Sequence, residues 1–259
     1  MEFENIIYKV EEGIATIQLN RPKAYNALNS AINRDIMSAL ELVKADKSIR
    51  VLIMTGNEKA FAAGADIKEM ATATPRYARE FCGLAIEINN ILESMPIPTI
   101  AAINGLAWGG GCEMTLACDF RVGGPHTSLC FPEVGLGIIP GANGCARATA
   151  IVGPSKAKEL VMLSKKVKGE EAYALGLLNR LVDDSEVYNE AVNMAKELMK
   201  QPGCALAAAK AAINKASKES ISQGMMAETT EFTLLFDTHD QKEGMAAMME
   251  KRAAEYTNN

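Results

Sequence analysis

Histidine is almost missing from this sequence: His126 and His239 are the only two. Neither has a second metal-type ligand at helical or turn spacing, and no GxSxG elbow precedes either, which argues against a hydrolytic triad and a histidine-built metal site. His126 sits in a turn after Gly123, Gly124 and Pro125, and His239 reads as part of a helix start capped by Asp237 or Thr238. No apolar run approaches the roughly 18 residues of a membrane span. The opening MEFENIIYKV has no basic segment leading into an apolar one, so a cytoplasmic protein is expected. The six cysteines form no CxxC pair and lie mostly among apolar neighbours, as reduced, partly buried thiols do; no disulfide and no metal is expected. A net charge of −5 with dispersed basic residues argues against nucleic acid. No GxxxxGK[ST] occurs. GLGIIPG (135–141) begins like a dinucleotide fingerprint but has proline where the last glycine should fall, and no acidic strand end follows it, so a nicotinamide cofactor is rejected.

What is present is enough apolar sequence, 48% of 259 residues, for a sizeable core. GIATIQLN (13–20) alternates at period two and leaves into the turn NRPKAYN, as a strand does. SAINRDIMSALELVKAD (30–46) places Ile32, Ile36, Leu40 and Val43 on one helical face, with Asn29 or Ser30 as cap. RVLIMTG (50–56) and TIAAING (99–105) are short continuous apolar runs, the pattern of strands buried on both faces. Helical sequence is expected from about 66 to 94 between them, and the repeated strand, helix, strand order suggests crossover units. Beyond residue 150 the chain is mainly helical, with one strand candidate at RLV (180–182) and an alanine- and methionine-rich end that packs on the core or meets another subunit.

Two glycine-bearing stretches invite chemistry. GGGCEM (109–114) follows an apolar strand and opens an apolar helix, leaving backbone amides free to receive an oxyanion. FAAGAD (61–66) presents amides in the same way, with Asp66 as cap and Glu69 at the third helical position. Glu113 and Glu133 each sit among apolar or backbone-special neighbours, where an ionised carboxylate needs a partner or a task. From spacing alone, Glu113 is equally a first-turn acid on its helix dipole and Glu133 a turn residue after Pro132.

These residues, with IQLNRPKAYNALN, VLIMTGNEKAFAAGADIKEM, IPTIAAINGLAWGGGCEMTLACDFRV, FPEVGLGIIPGANG and GEEAYALGLLNRLVD, make the sequence resemble the crotonase (enoyl-CoA hydratase/isomerase) superfamily over nearly its whole length. The resemblance implies an α/β, ClpP/crotonase-like spiral of ββα units with two nearly perpendicular sheets, a core over residues 1–200 and a C-terminal helical trimerisation region over 201–259. It implies an acyl-coenzyme A thioester as partner and substrate, no cofactor besides that coenzyme A, and a homotrimer or a dimer of trimers.

Carried over by position, the amides of Ala65 and Gly110 match the oxyanion-hole pair, and Glu113 and Glu133 match the two catalytic glutamates of the hydratases. Lys23, Ala24 and Tyr25 match the loop lining the coenzyme A path; Ala63, Asp66, Ile67, Lys68, Trp108 and Gly141 complete the substrate-binding set. Both glutamates together imply 2-enoyl-CoA hydration, with a Δ3,Δ2-enoyl-CoA isomerase or a cyclic dienoyl-CoA hydratase as alternatives on the same fold, and a non-enzymatic acyl-CoA or RNA binder as a third. The chain departs from the family pattern at Trp108, at Cys130 and Phe131, and across NGCARA (143–148). These are packing changes around a retained site, or they reshape the acyl pocket.

Overall fold

The computed structural model describes residues 3–218 and 221–258. An antiparallel hairpin, β1 (Ile6–Glu11) and β2 (Ile14–Leu19), opens the chain and pairs Ile6 with Leu19. Helix α1 (Ser30–Ala45) follows, capped by Asn29, whose side chain accepts the Ile32 amide. Strand β3 (Val51–Thr55) then lies parallel to β2, and β4 (Ala60–Ala62) leaves for a second sheet.

The helical stretch expected over 66–94 is two helices. Asp66 caps the single turn α2 (Ile67–Met70), and α3 (Pro75–Ser94) restarts with Thr74 as cap and Pro75 at its first position. A proline that cannot continue a helix is well suited to begin one, which is the start signal that apolar spacing alone overlooks. Glu69 does not close a capping box on Asp66. It accepts from the Ser30 backbone and the Ser30 and Tyr77 hydroxyls, tying α1, α2 and α3 together.

The next unit repeats the pattern: β5 (Thr99–Ile103), β6 (Leu106–Trp108) and α4 (Gly110–Ala117). A third has β7 (Phe120–Gly123), β8 (Ser128–Cys130) and α5 (Gly144–Met162), which is bent at Gly153 and restarts at Pro154. After β9 (Val167–Lys168), α6 (Gly169–Ala174), β10 (Arg180–Leu181) and α7 (Val187–Met199) come α8 (Gly203–Lys218), α9 (Ile221–Leu235) and α10 (His239–Glu250). Thr238 caps α10, accepting from the Gln241 amide.

One strand of each unit goes to each sheet, giving the orders β1-β2-β3-β5-β7-β10 and β4-β6-β8-β9. The central strands β3 and β5 are buried on both faces, as their unbroken apolar sequence requires. Alternation along β3 sends Val51 and Ile53 toward α7, where they meet Val187, Ala191 and Met194. Leu52 and Met54 face the main core with Ile36, Leu40, Ile88 and Leu92 of α1 and α3. Each second-sheet strand therefore delivers the chain to one edge of this core, where the turns after β4, β6 and β8 meet. Among the described residues no helix is long and apolar enough to cross a membrane.

Candidate active site

The turn after β4 is held by backbone pairing to the loop before α1. Leu28 and Ala65 form a parallel bridge in which the Leu28 amide donates to Gly64 O (2.8 Å) and the Asp66 amide to Leu28 O (2.9 Å). In a parallel bridge the bonds fall to the neighbours of the bridged residue, so the Ala65 N–H points the other way, away from Leu28. Gly110 is the first residue of α4, and its N–H is one of the donors a helix start leaves without an internal partner. A Cβ built on Gly110 would lie 4.0 Å from the Ala65 nitrogen and 4.0 Å from Glu113 Oε2. Two backbone donors with no partner among the described residues and a carboxylate thus meet around one small volume.

That volume is a cavity of about 80 Å³ whose wall includes Ala65, Gly110, Glu113, Glu133 and Gly141. Glu113 projects from the first turn of α4 and is 3% exposed, yet its partners are not on its own helix. Its Oε1 accepts the amides of Ala142 and Gly144, each at 2.8 Å. Gly144 allows the approach, because a Cβ there would stand 2.8 Å from Glu113 Cγ and Oε1. Arg147 backs the arrangement, giving Nη1 to Ala142 O (3.1 Å) and Nη2 to Glu93 (2.9 Å). Burial raises the Glu113 carboxyl above the usual range, while the two amides and the Arg147 charge pull it back down.

Glu133 is treated differently. It opens a 3₁₀ turn after Pro132, Glu133–Leu136, and its Oε2 is buried with no hydrogen-bond partner among the described residues. Its Oε1 lies 2.9 Å from where a Cβ on Gly109 would sit, and Gly109 has φ +50, so glycine is required there by both space and backbone. Burial, with the charge of Glu113 adding to it, pushes the Glu133 carboxyl up to about 7. Burial raises both acids, but two loop amides favour the ionised form of Glu113, whose charge in turn raises Glu133, so Glu113 ionises first and Glu133 holds its proton longer.

The expected coenzyme A loops are brought together outside the cavity. Asn26, fully buried, accepts the Arg21 amide and donates to Ala60 O and Phe61 O, pinning the first loop to β4. Arg21 pairs with Asp66 at 3.2 Å, and the Ala63 amide donates to Tyr25 O at 3.0 Å. Lys23, Tyr25, Ile67 and Lys68 are exposed at this junction, with Ala24 half-buried beside them.

Trp108 is not part of the cavity wall. Its indole N–H donates to Ser128 Oγ at 3.1 Å, and Lys166 Nζ lies 4.6 Å over its ring. Phe131 is buried where a Gly144 Cβ would stand 2.8 Å from its ring, so it packs behind the anchor of Glu113. Sequence reasoning did not single out several wall residues that come from helices, among them Asn33 of α1 and Phe81, Cys82, Ala85 and Asn89 of α3. Their signal was spacing, since 81, 85 and 89 recur every four residues on one face of α3.

Residues 9–259 match the sequence profile of the family described as Enoyl-CoA hydratase/isomerase. The chain is 41% identical over 257 residues to the crotonyl-CoA hydratase of Syntrophomonas wolfei subsp. wolfei, covering 99% of both chains. It is 38% identical over 256 residues to the short-chain-enoyl-CoA hydratase of Clostridium acetobutylicum, covering 98% of both. Among solved structures it is similar to an enoyl-CoA hydratase from Bacillus anthracis (TM-score 0.94, 33% identity, 99% of this chain and 100% of that one). It is equally similar to an enoyl-CoA hydratase subunit from Geobacillus kaustophilus (TM-score 0.95, 39% identity, all of both chains). The two sheets of ββα units, the paired glutamates and these full-length likenesses agree: the chain belongs to the enoyl-CoA hydratase/isomerase family.

Proposed function

We propose that this protein is an enoyl-CoA hydratase that adds water across the 2,3-double bond of a short 2-enoyl-CoA thioester, giving the 3-hydroxyacyl-CoA. The observation that carries the reading is the pair Glu113 and Glu133 on one cavity wall with the unpaired amide side of Ala65 and the first amide of α4. Relatives named for crotonyl-CoA and short-chain enoyl-CoA hydration support it over double-bond isomerisation.

Adding water to C3 drives negative charge onto the thioester oxygen, which Ala65 and Gly110 stabilise by donating to it; one such donor is typically worth about 2.7–4 kcal/mol of barrier. Ionised Glu113, fixed by Ala142 and Gly144, orients the water and takes its proton. Glu133, kept protonated by burial, delivers its proton to C2. Lys23, Ala24, Tyr25, Asp66, Ile67 and Lys68 hold the coenzyme A arm along the joined loops, with no cofactor besides that coenzyme A. The cavity of about 80 Å³ favours acyl groups of few carbons. A panel of 2-enoyl-CoA thioesters of increasing length, and of 3-enoyl and cyclic dienoyl thioesters, tests this. Crotonyl-CoA hydration should give the highest kcat/KM, and faster turnover of a 3-enoyl or dienoyl thioester would overturn it.

The pH dependence follows from the same roles. Hydration needs Glu133 protonated, so kcat/KM should fall about tenfold per pH unit above an apparent value near 7. Dehydration draws on the same singly protonated glutamate pair, and the overall reaction takes up no proton, so its kcat/KM should fall in parallel over that interval. A hydration profile flat from pH 7 to 9 would remove Glu133 from the proton step.

The same reading makes the protein a cytoplasmic homotrimer or dimer of trimers. Its support is the apolar surface on α9 and α10: Met226 is 71% exposed, Phe232 61%, Met248 82% and Met249 78%. Light scattering should give three or six times the 27.8 kDa chain mass; a monomer at micromolar concentration would sink the assignment.

A further inference from the structure

Helix α1 carries a polar side chain that the fold leaves unsatisfied. Asn33 is 1% exposed, stands on the cavity wall, and neither its Nδ2 nor its Oδ1 has a hydrogen-bond partner among the described residues. It shares the inner stripe of α1 with Ile36 and Leu40, where an aliphatic residue would pack without leaving buried donors and acceptors unmatched. The contrast with Asn89 is informative. That residue, also buried on the wall, donates Nδ2 to Ala142 O at 3.2 Å and so supports the loop that holds Glu113. Asn33 supports no such loop.

We propose that Asn33 is a specificity-determining residue that receives a hydroxyl carried by the acyl chain beyond C3, an assignment that rests on the hydratase reading for the substrate class. A hydroxyl both donates to Oδ1 and accepts from Nδ2. A ketone would satisfy Nδ2 alone and an ammonium Oδ1 alone. A carboxylate would enter a wall that already holds Glu113 and Glu133 and, among the described residues, has no lysine or arginine. The C3 oxygen itself is handled by the glutamate pair, so the hydroxyl that Asn33 takes lies farther along. Size restricts it too, because a cavity of about 80 Å³ holds only a few non-hydrogen atoms beyond the thioester carbonyl.

The test uses pairs in which hydroxyl replaces methyl at constant shape: 4-hydroxybut-2-enoyl-CoA with pent-2-enoyl-CoA, and 5-hydroxypent-2-enoyl-CoA with hex-2-enoyl-CoA. The kcat/KM ratio within each pair is measured for the wild type and for Asn33→Leu, so that intrinsic reactivity cancels. The expected result is a ratio at least about fivefold higher in the wild type than in the variant for one of the pairs. Equal ratios in both proteins for both pairs overturn the proposal. Calorimetric binding of the saturated pair 5-hydroxypentanoyl-CoA and hexanoyl-CoA to the wild type is a second readout that needs neither a folded variant nor turnover. Tighter binding of the hydroxylated thioester supports Asn33 in this role, and tighter binding of the methyl one counts against it. Absence of crotonyl-CoA hydration would instead reject the hydratase reading, whatever the binding shows.

Discussion

Replacing Glu133 by glutamine is expected to lower kcat/KM for crotonyl-CoA hydration by at least about 10²-fold, the usual worth of a positioned acid. Glutamine keeps the shape and, like the protonated acid, carries no charge, so the cavity wall changes little. What it removes is the proton that C2 receives. Glu113→Gln should cost a similar factor by a different route. Its amide oxygen still accepts from Ala142 and Gly144, but the group can no longer take a proton from water. Because the two act on one addition, the double variant should be little worse than the poorer single one. Wild-type hydration by either variant would remove that residue from the mechanism.

Glu133→Gln has a second expected result that separates chemistry from folding. The native Glu133 carboxyl keeps its proton up to about 7, well above the ordinary glutamate range at which the unfolded chain releases it. Between those values the native state holds more protons than the unfolded state, so wild-type stability falls as pH rises through the window. Glutamine does not titrate and escapes that loss. The variant should therefore unfold at the wild-type temperature near pH 4 and at a higher one at pH 8, with a difference on the order of 3 kcal/mol. A variant that is less active and more stable at pH 8 is the signature of a strained functional acid. Thermal melts at the two pH values check it, and a gap that does not grow with pH would contradict the raised carboxyl.

Much of this site was legible before any coordinates, because helix starts and turns announce themselves locally. GGGCEM had to open a helix after a strand, and FAAGAD carried its own cap, so chain-local rules pointed to both stretches, while the choice of Ala65 and Gly110 within them came from the family resemblance. The partners of Glu113 did not: Ala142 and Gly144 lie about thirty residues on, and only packing brings their amides to Oε1. The break at Pro75 was missed because apolar spacing continues across it while the backbone does not. Asn33 was hidden for another reason. Its apolar neighbours made α1 read as an ordinary amphipathic helix, and a polar residue on its inner stripe is visible only when position 33 is set against 36 and 40. Trp108 attracted attention by rarity, but its ring is engaged by Ser128 and Lys166 instead of the cavity.

Gly110→Ala should lower hydration by about 10²–10³-fold while leaving the protein as stable as the wild type or slightly more so. The stability side follows from backbone and space. Gly110 is the first residue of α4 and its φ is not positive, so alanine fits the helix and reduces the freedom of the unfolded chain. Its Cβ would meet only Leu28 Cδ1 closely, at 3.3 Å, the end of a flexible side chain. The catalytic side follows from where that methyl points. It would lie 4.0 Å from the Ala65 nitrogen and 4.0 Å from Glu113 Oε2, between the donors and the carboxylate that the reacting thioester must reach. The thioester oxygen would be displaced from at least one amide, and losing one such donor costs about 2.7–4 kcal/mol in the transition state. The loss should fall on kcat with much less effect on thioester binding, because the coenzyme A arm runs along loops that the methyl does not touch. Melting temperature, kcat and KM of this single variant distinguish the possibilities. A folded Gly110→Ala protein that hydrates crotonyl-CoA at the wild-type rate would show that the thioester oxygen is not bound between Ala65 and Gly110.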